Sequence, residues 1–81
     1  MVKIKEAKVL GIIQKALNLK GKKVTIDMRI GAVEEWDSLG HLGILAALDK
    51  AFKGRVAGIK EMASADSVKK IIALLRKNSL I

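Results

Sequence analysis

Residues 34–52 read EEWDSLGHLGILAALDKAF, and this stretch carries the clearest helix signal in the chain. Asp37 and Ser38 open the signal, and both are residue types that favour the N-cap of a helix. Aliphatic residues then recur at steps of three and four, which is the spacing of one helix face. The pair Lys53-Gly54 follows, and a glycine at this position commonly ends a helix. The stretch therefore predicts a helix that starts at Asp37-Ser38 and stops before Gly54.

A first helix is predicted upstream, over residues 4–19. Its apolar residues recur at three- and four-residue steps, which predicts an amphipathic helix. Lys5, Lys8 and Lys15 fall on the polar side of this helix. Asn18 and the lysine-rich residues that follow it are expected to end the helix.

A last helix is predicted over residues 68–75, where apolar residues again repeat at helical steps. Ser64, Asp66 and Ser67 offer N-caps for it. One short helical turn is expected around residues 59–62. The chain contains no proline, so the helices must be separated by glycine, asparagine and charge clusters. Together, the predicted helices indicate a small all-α bundle.

The segment between the first two helices holds scattered apolar residues without a sustained period, over residues 24–36. Residues 24–26 are compatible with a short strand, but the sequence offers no obvious strand to pair with it. We therefore expect a long ordered loop whose apolar residues pack into the core. Loops of this length are uncommon in small domains and are often functional.

The composition fits one domain, residues 1–81, with an aliphatic core. Apolar residues make up 51% of the chain and aromatic residues only 2%. The absence of Cys excludes disulfides and thiolate metal sites, and a single His excludes a multi-histidine metal site. No apolar run approaches the length of about 20 residues that spans a bilayer. A cytoplasmic monomer without a transmembrane segment is expected.

The stretch 34–52 resembles the acyl carrier proteins. The triplet Asp37-Ser38-Leu39 is similar to the phosphopantetheine attachment motif of that family. It follows a long loop and precedes aliphatic residues and a Phe at the family's spacing. The resemblance covers nearly the whole chain and is weakest over residues 53–66. It implies a small four-helix bundle with three main helices, a short third helix and a long first loop.

The resemblance also implies roles for single residues. Ser38 would receive 4′-phosphopantetheine from coenzyme A, through a phosphopantetheinyl transferase. Asp37 would help to hold the Mg²⁺ of that transferase, since a carboxylate is a hard ligand. Leu39 would be an apolar anchor beside the arm, and Ile30 would point into the acyl pocket. No catalytic residue and no metal site of the chain's own are implied.

A chain of this kind is a carrier and not an enzyme. It would present acyl thioesters to acyl ligases, acyltransferases or synthases of a fatty-acid, polyketide or other specialised pathway. Peptidyl and D-alanyl carriers share the fold and the arm, and they remain alternatives. The second helix departs from the family's acidic pattern: Asp49 is its only acid, and Lys50 stands beside it. This departure favours a specialised carrier over the housekeeping one.

Two other functions are compatible with parts of the sequence. The net charge of +8 and the lysines within residues 20–23 suggest a small basic helical module that binds nucleic acid. Two features argue against nucleic-acid binding. The basic residues are dispersed along the sequence, and neither a recognition helix nor an aromatic stacking platform is visible in it. No specific nucleic-acid partner is therefore expected. The other alternative is a partner-binding bundle without a prosthetic group.

His41 follows Ser38 by three residues and could in principle act on it as a base. No third group to orient such a base is apparent in the sequence. His41 is therefore expected to be an exposed surface residue. Trp36 precedes the helix start, where a single Trp is expected to be a packing residue.

Overall fold

The structure is a computed structural model that describes residues 5–81, and these residues form an all-helical fold. Its elements, in chain order, are α1 (Glu6–Ala16), α2 (Ser38–Ala51), a short 3-10 helix (Lys60–Ser64) and α3 (Val68–Lys77). Within the described residues no β-strand forms, and Arg29 and Ser67 make only an isolated bridge. The all-α prediction is confirmed, and residues 24–26 are not a strand.

The first helix is shorter than the predicted range 4–19. Ile4, its predicted first residue, lies outside the described residues. The helix stops because Asn18 adopts a left-handed conformation, with φ of 54°. The N–H of Leu19 then donates to the carbonyl of Gln14 at 3.2 Å, and the chain turns away. The prediction that Asn18 ends this helix is confirmed, and Lys15 is exposed as expected.

The other two helices end in the same way. Lys53 follows α2 with φ of 56°, and the N–H of Gly54 donates to the carbonyl of Asp49 at 2.8 Å. Ser79 follows α3 with φ of 60°. Each helix thus closes with a left-handed residue whose neighbour satisfies a carbonyl of the last turn. The predicted stop of α2 at Lys53-Gly54 is confirmed.

The segment between α2 and α3 contains the predicted short helical turn, which is the 3-10 helix Lys60–Ser64. Three N-cap candidates preceded α3 in the sequence, and Ser67 is the one used. Its hydroxyl accepts from the N–H of Lys70 at 3.2 Å.

The core is aliphatic, with Trp36 and Phe52 as its two aromatic residues. All four helices contribute to it, and the fully buried side chains include Ile13 of α1, Ile44 of α2 and Ile71 of α3. Met62 of the 3-10 helix is buried in the core. Met28 of the loop is only half-buried.

The long segment between α1 and α2 is an ordered loop, as predicted. Val24 and Trp36 are buried in the core, so the loop packs against the helices at both ends. Its middle is attached to the start of α3: the N–H of Val68 donates to the carbonyl of Met28 at 3.0 Å, and the N–H of Ile30 donates to the carbonyl of Asp66 at 2.8 Å. The loop therefore holds a defined position just before α2 begins.

Candidate functional site

Ser38 is the first residue of α2 and is exposed. Asp37 before it is the N-cap: its Oδ1 accepts from the N–H of Gly40 at 2.8 Å. The first N–H groups of a helix have no partner within the helix, and the helix dipole is positive at this end. The hydroxyl of Ser38 is thus presented to solvent where a phosphate group would be electrostatically favoured.

The loop passes close to the first turn of α2, and Gly40 makes that approach possible. A Cβ at this position would collide with the carbonyl oxygen of Glu35 and would lie 3.1 Å from a methyl group of Leu17. The N–H of Gly31 donates to the carbonyl of Trp36 at 2.9 Å, which brings the middle of the loop back to the helix start. Ser38 therefore stands at a junction that several backbone contacts hold in place.

Large apolar side chains are exposed around this helix start. Leu39 is 76% exposed and Leu42 is 62% exposed, both on the outer side of α2. Ile30 of the neighbouring loop is 38% exposed. The role of Ile30 toward an acyl pocket stays a prediction. Its backbone is held by the Asp66 carbonyl, and Gly31 after it turns the chain with φ of 88°, which leaves the Ile30 side chain at the surface.

His41 is buried, with 6% of its surface exposed, so the expectation of a surface histidine is wrong. Trp36 donates its indole N–H to Nδ1 of His41 at 3.2 Å, and Nε2 of His41 lies 2.9 Å from the carbonyl oxygen of Met62. The two ring planes are nearly parallel, at 11°, and their centroids are 6.2 Å apart, so the rings meet edge to edge through this hydrogen bond. Because both ring nitrogens are engaged, His41 has none left to activate the Ser38 hydroxyl.

The helical spacing contained a signal for the burial of His41. Ile44 and Leu48 follow it by three and seven residues, and both are fully buried on the inner face of α2. His41 falls on that face too. Its two ring nitrogens can be buried there because each has a hydrogen-bond partner: the Trp36 indole N–H is a donor, and the Met62 carbonyl is an acceptor. Trp36 is fully buried, which confirms that it is a packing residue.

A surface cavity of about 330 Å³ lies between α2 and the 3-10 helix. Its apolar lining includes Leu45, Val56, Ile59 and Met62. Asp49 lies at the same cavity, and its carboxylate accepts from the N–H of Ala57 at 2.8 Å. The cavity thus offers an apolar space next to α2, on the helix that begins with Ser38.

No group of three or more potential metal-ligating side chains occurs in the part of the chain that the structure describes. Nor does any helix within that part have the length and hydrophobicity needed to cross a membrane. Fold and site together define a small all-helical domain that exposes a serine at the start of its longest helix. The chain matches no protein-family model, no curated protein and no solved structure.

Proposed function

We propose that this protein is an acyl carrier protein that bears 4′-phosphopantetheine on Ser38. One observation carries the proposal: the Asp37-Ser38-Leu39 triplet forms the start of α2, with Asp37 as the cap and with Ser38 and Leu39 exposed. A prosthetic arm needs one accessible hydroxyl on a rigid element, and the start of a capped helix provides it.

The order of the elements is compatible with this proposal. A four-helix bundle of the acyl-carrier type has three main helices, a long first loop and a short third helix. Here α1, α2 and α3 would be the main helices, the ordered loop precedes Ser38, and the 3-10 helix Lys60–Ser64 would correspond to the short third helix.

Attachment of the arm would be a phosphoryl transfer. Oγ of Ser38 attacks the phosphorus of coenzyme A that carries the pantetheine, a new P–O bond forms, and the bond to the adenosine bisphosphate leaving group breaks. The hydroxyl proton leaves with the help of the transferase. Asp37 would contribute a carboxylate to the Mg²⁺ that the transferase uses, while its Oδ1 keeps the helix start in place.

The acyl group would then be held as a thioester on the thiol of the arm. The transferase would supply the base for the Ser38 hydroxyl, because both ring nitrogens of His41 are engaged with Trp36 and Met62. The apolar cavity lined by Leu45 and Ile59 would shelter part of a short acyl chain from water.

The test is mass spectrometry after incubation with coenzyme A, Mg²⁺ and a broad-specificity phosphopantetheinyl transferase. Wild type should gain the mass of a single phosphopantetheine, and Ser38→Ala should gain none. Ser64→Ala is the matched control, since Ser64 is also exposed at a helical element and should leave modification at the wild-type level. An unmodified wild type with every transferase tried, or an arm on another residue, would contradict the proposal.

A further inference from the structure

The outward side of α1 carries a row of lysines. Lys5, Lys8, Ile12 and Lys15 follow one another at steps of three, four and three positions, which places them on one face of the helix. The three lysines are exposed and Ile12 is half-buried. The core side of α1 carries its fully buried residues, Val9 and Ile13. We call Lys5, Lys8, Ile12 and Lys15 the α1 lysine stripe.

The positive charge of this stripe is not neutralised within residues 5–81. The ion pairs found there join Lys22 to Glu35, Lys69 to Asp27, Lys70 to Asp66 and Arg76 to Glu6. None of them includes a lysine of the stripe. Glu6 is the one acid in the sequence of α1, and its carboxylate is bound to Arg76 of α3 at 3.0 Å. The stripe therefore presents three positive charges along about 15 Å of helix.

A surface hollow of about 390 Å³ lies along the same side of α1. Its lining combines apolar residues with two lysines of the stripe: Ala7, Lys8, Gly11, Ile12 and Lys15. With a rise of about 1.5 Å per residue, Lys8 and Lys15 are roughly 10 Å apart along the axis. This side of α1 thus offers positive charge and apolar contact at one place.

We propose that the α1 lysine stripe binds the surface of an anionic lipid bilayer. The lysine ammonium groups would contact acidic headgroups, and Ile12 with the hollow beside it would contact the apolar region just beneath them. The net charge of +8 adds a long-range attraction toward a negatively charged leaflet. Binding at α1 requires neither Ser38 nor the arm, so it goes beyond the proposed function.

Two features favour lipid headgroups over a protein or a nucleic acid as the occupant. All cations of the stripe are lysines, whereas protein interfaces are depleted in lysine and enriched in arginine, which also predominates where phosphates are held by paired hydrogen bonds. Lysine is a hydrated point charge, which suits headgroups that have no fixed positions. A nucleic acid would also leave Ile12 and the hollow without an apolar partner.

The experiment measures binding of the unmodified full chain to large vesicles by co-sedimentation. Vesicles of phosphatidylcholine mixed with phosphatidylserine are the probe, and vesicles of phosphatidylcholine alone are the neutral control. The chain should sediment with the mixed vesicles at low ionic strength and stay in the supernatant with the neutral ones. Added salt should release it, because the attraction is electrostatic.

The double variant Lys8→Gln/Lys15→Gln tests the stripe, and Lys50→Gln/Lys77→Gln is its matched control. All four lysines are exposed, none is in an ion pair within residues 5–81, and each double variant removes two charges. A lysine at an anionic leaflet changes binding roughly fivefold. The stripe variant should therefore weaken binding by about twentyfold, and the control by less than about threefold.

Gly11→Glu tests the same surface without removing a lysine, and Gly58→Glu is its control. Both glycines are exposed, and a Cβ at either one meets no atom within 4 Å, so the fold should tolerate both changes. The new carboxylate in α1 would repel acidic headgroups and pair with Lys15 four residues later. Gly11→Glu should weaken vesicle binding by about tenfold or more, and Gly58→Glu by less than about twofold. Circular dichroism checks that both variants are folded.

Three results would overturn the inference: equal losses for the stripe variants and their controls, equal binding to neutral and mixed vesicles, or no binding to the mixed vesicles at low ionic strength. A duplex oligonucleotide that bound more tightly than the mixed vesicles at the same salt, through Lys8 and Lys15, would also overturn it and identify a nucleic acid as the occupant. Because the vesicles are tested without the arm, none of these results bears on the modification of Ser38.

Discussion

Trp36 donates its indole N–H to Nδ1 of His41 over 3.2 Å, and this bond joins the loop to α2 in the buried region behind Ser38. The indole nitrogen can only donate, so Nδ1 must accept, and the proton of the neutral ring lies on Nε2. Nε2–H then donates to the Met62 carbonyl at 2.9 Å. One side chain thereby connects the loop, α2 and the 3-10 helix.

Replacement of His41 by Leu should lower the free energy of unfolding by about 2–4 kcal/mol, because it leaves the Trp36 indole N–H and the Met62 carbonyl buried without a partner. Urea denaturation followed by circular dichroism measures this. The double variant Trp36→Phe/His41→Leu should lose less than the sum of the single variants. Strict additivity would show that the hydrogen bond contributes nothing.

Gly40→Ala should lower the free energy of unfolding by about 1–3 kcal/mol, because the new methyl group meets the Glu35 carbonyl and must push the loop away. Gly11→Ala is the matched control. Gly11 is also a helical glycine, but a Cβ there meets no atom within 4 Å. This control should raise stability by about 0.5–1 kcal/mol through helix propensity alone. If Gly40→Ala and Gly11→Ala changed the thermal stability equally, the close approach of the Glu35 carbonyl to Gly40 would be contradicted.

Asp37 combines a structural role with a proposed role toward the transferase, and two variants separate them. Asp37→Ala should cost about 1 kcal/mol in urea denaturation, because the cap to the Gly40 N–H is lost. Asp37→Asn should retain most of that stability, since asparagine is also a good N-cap. The rate of phosphopantetheine attachment should fall in both variants, since neither keeps the carboxylate. If Asp37→Asn were modified with phosphopantetheine at the wild-type rate, the role of Asp37 would be restricted to capping α2.

The pH dependence of stability should include a contribution from Asp66. A hydrogen bond from the Lys70 ammonium, 3.0 Å away, lowers the pKa of Asp66 below its ordinary value of 3.8. Because the folded state has the lower pKa, the stabilisation is present above 3.8 and is lost as the pH falls below that value. Thermal unfolding of wild type at a series of acid pH values should show this loss.

Asp66→Asn and Lys70→Gln should both flatten the stability profile in this acid range, since each removes one partner of the pair. The Asp66 side chain is 40% exposed, so the change is expected to be small and to diminish in added salt. If the stability of Lys70→Gln fell with pH as steeply as that of wild type, Lys70 would not be the cause of the lowered pKa of Asp66.

Binding to nucleic acid should be weak, independent of sequence and steeply reduced by salt. The exposed lysines of α1 and α3 can contact phosphates, but within residues 5–81 no helix shows the side-chain pattern of a base-reading helix. Fluorescence anisotropy with duplex and single-stranded oligonucleotides at two salt concentrations measures this. A tight complex that survives physiological salt and prefers one sequence would favour the basic nucleic-acid module over the carrier.

Much of the fold was predictable because it depends on local interactions. The cap at Asp37 and the stops at Asn18 and Lys53-Gly54 involve residues within one or two turns of each other. Helical periodicity predicted the three main helices and the short turn before α3. The exposure of Ser38 follows from its place at the start of α2, so the sequence also predicted the position of the exposed serine in the candidate site.

The sequence by itself determined the helices, their ends and the exposed serine, because near neighbours along the chain decide these features. Helical spacing places His41 on the inner face of α2, but only the tertiary structure decided which groups satisfy its buried ring nitrogens and that Ile30 is exposed. His41 is tolerated inside because its Nε2 reaches a carbonyl 21 residues further along the chain. Ile30 stays at the surface because the loop backbone is tied to Asp66 at the start of α3. Both outcomes depend on hydrogen bonds between distant segments, which form only when the helices have packed together.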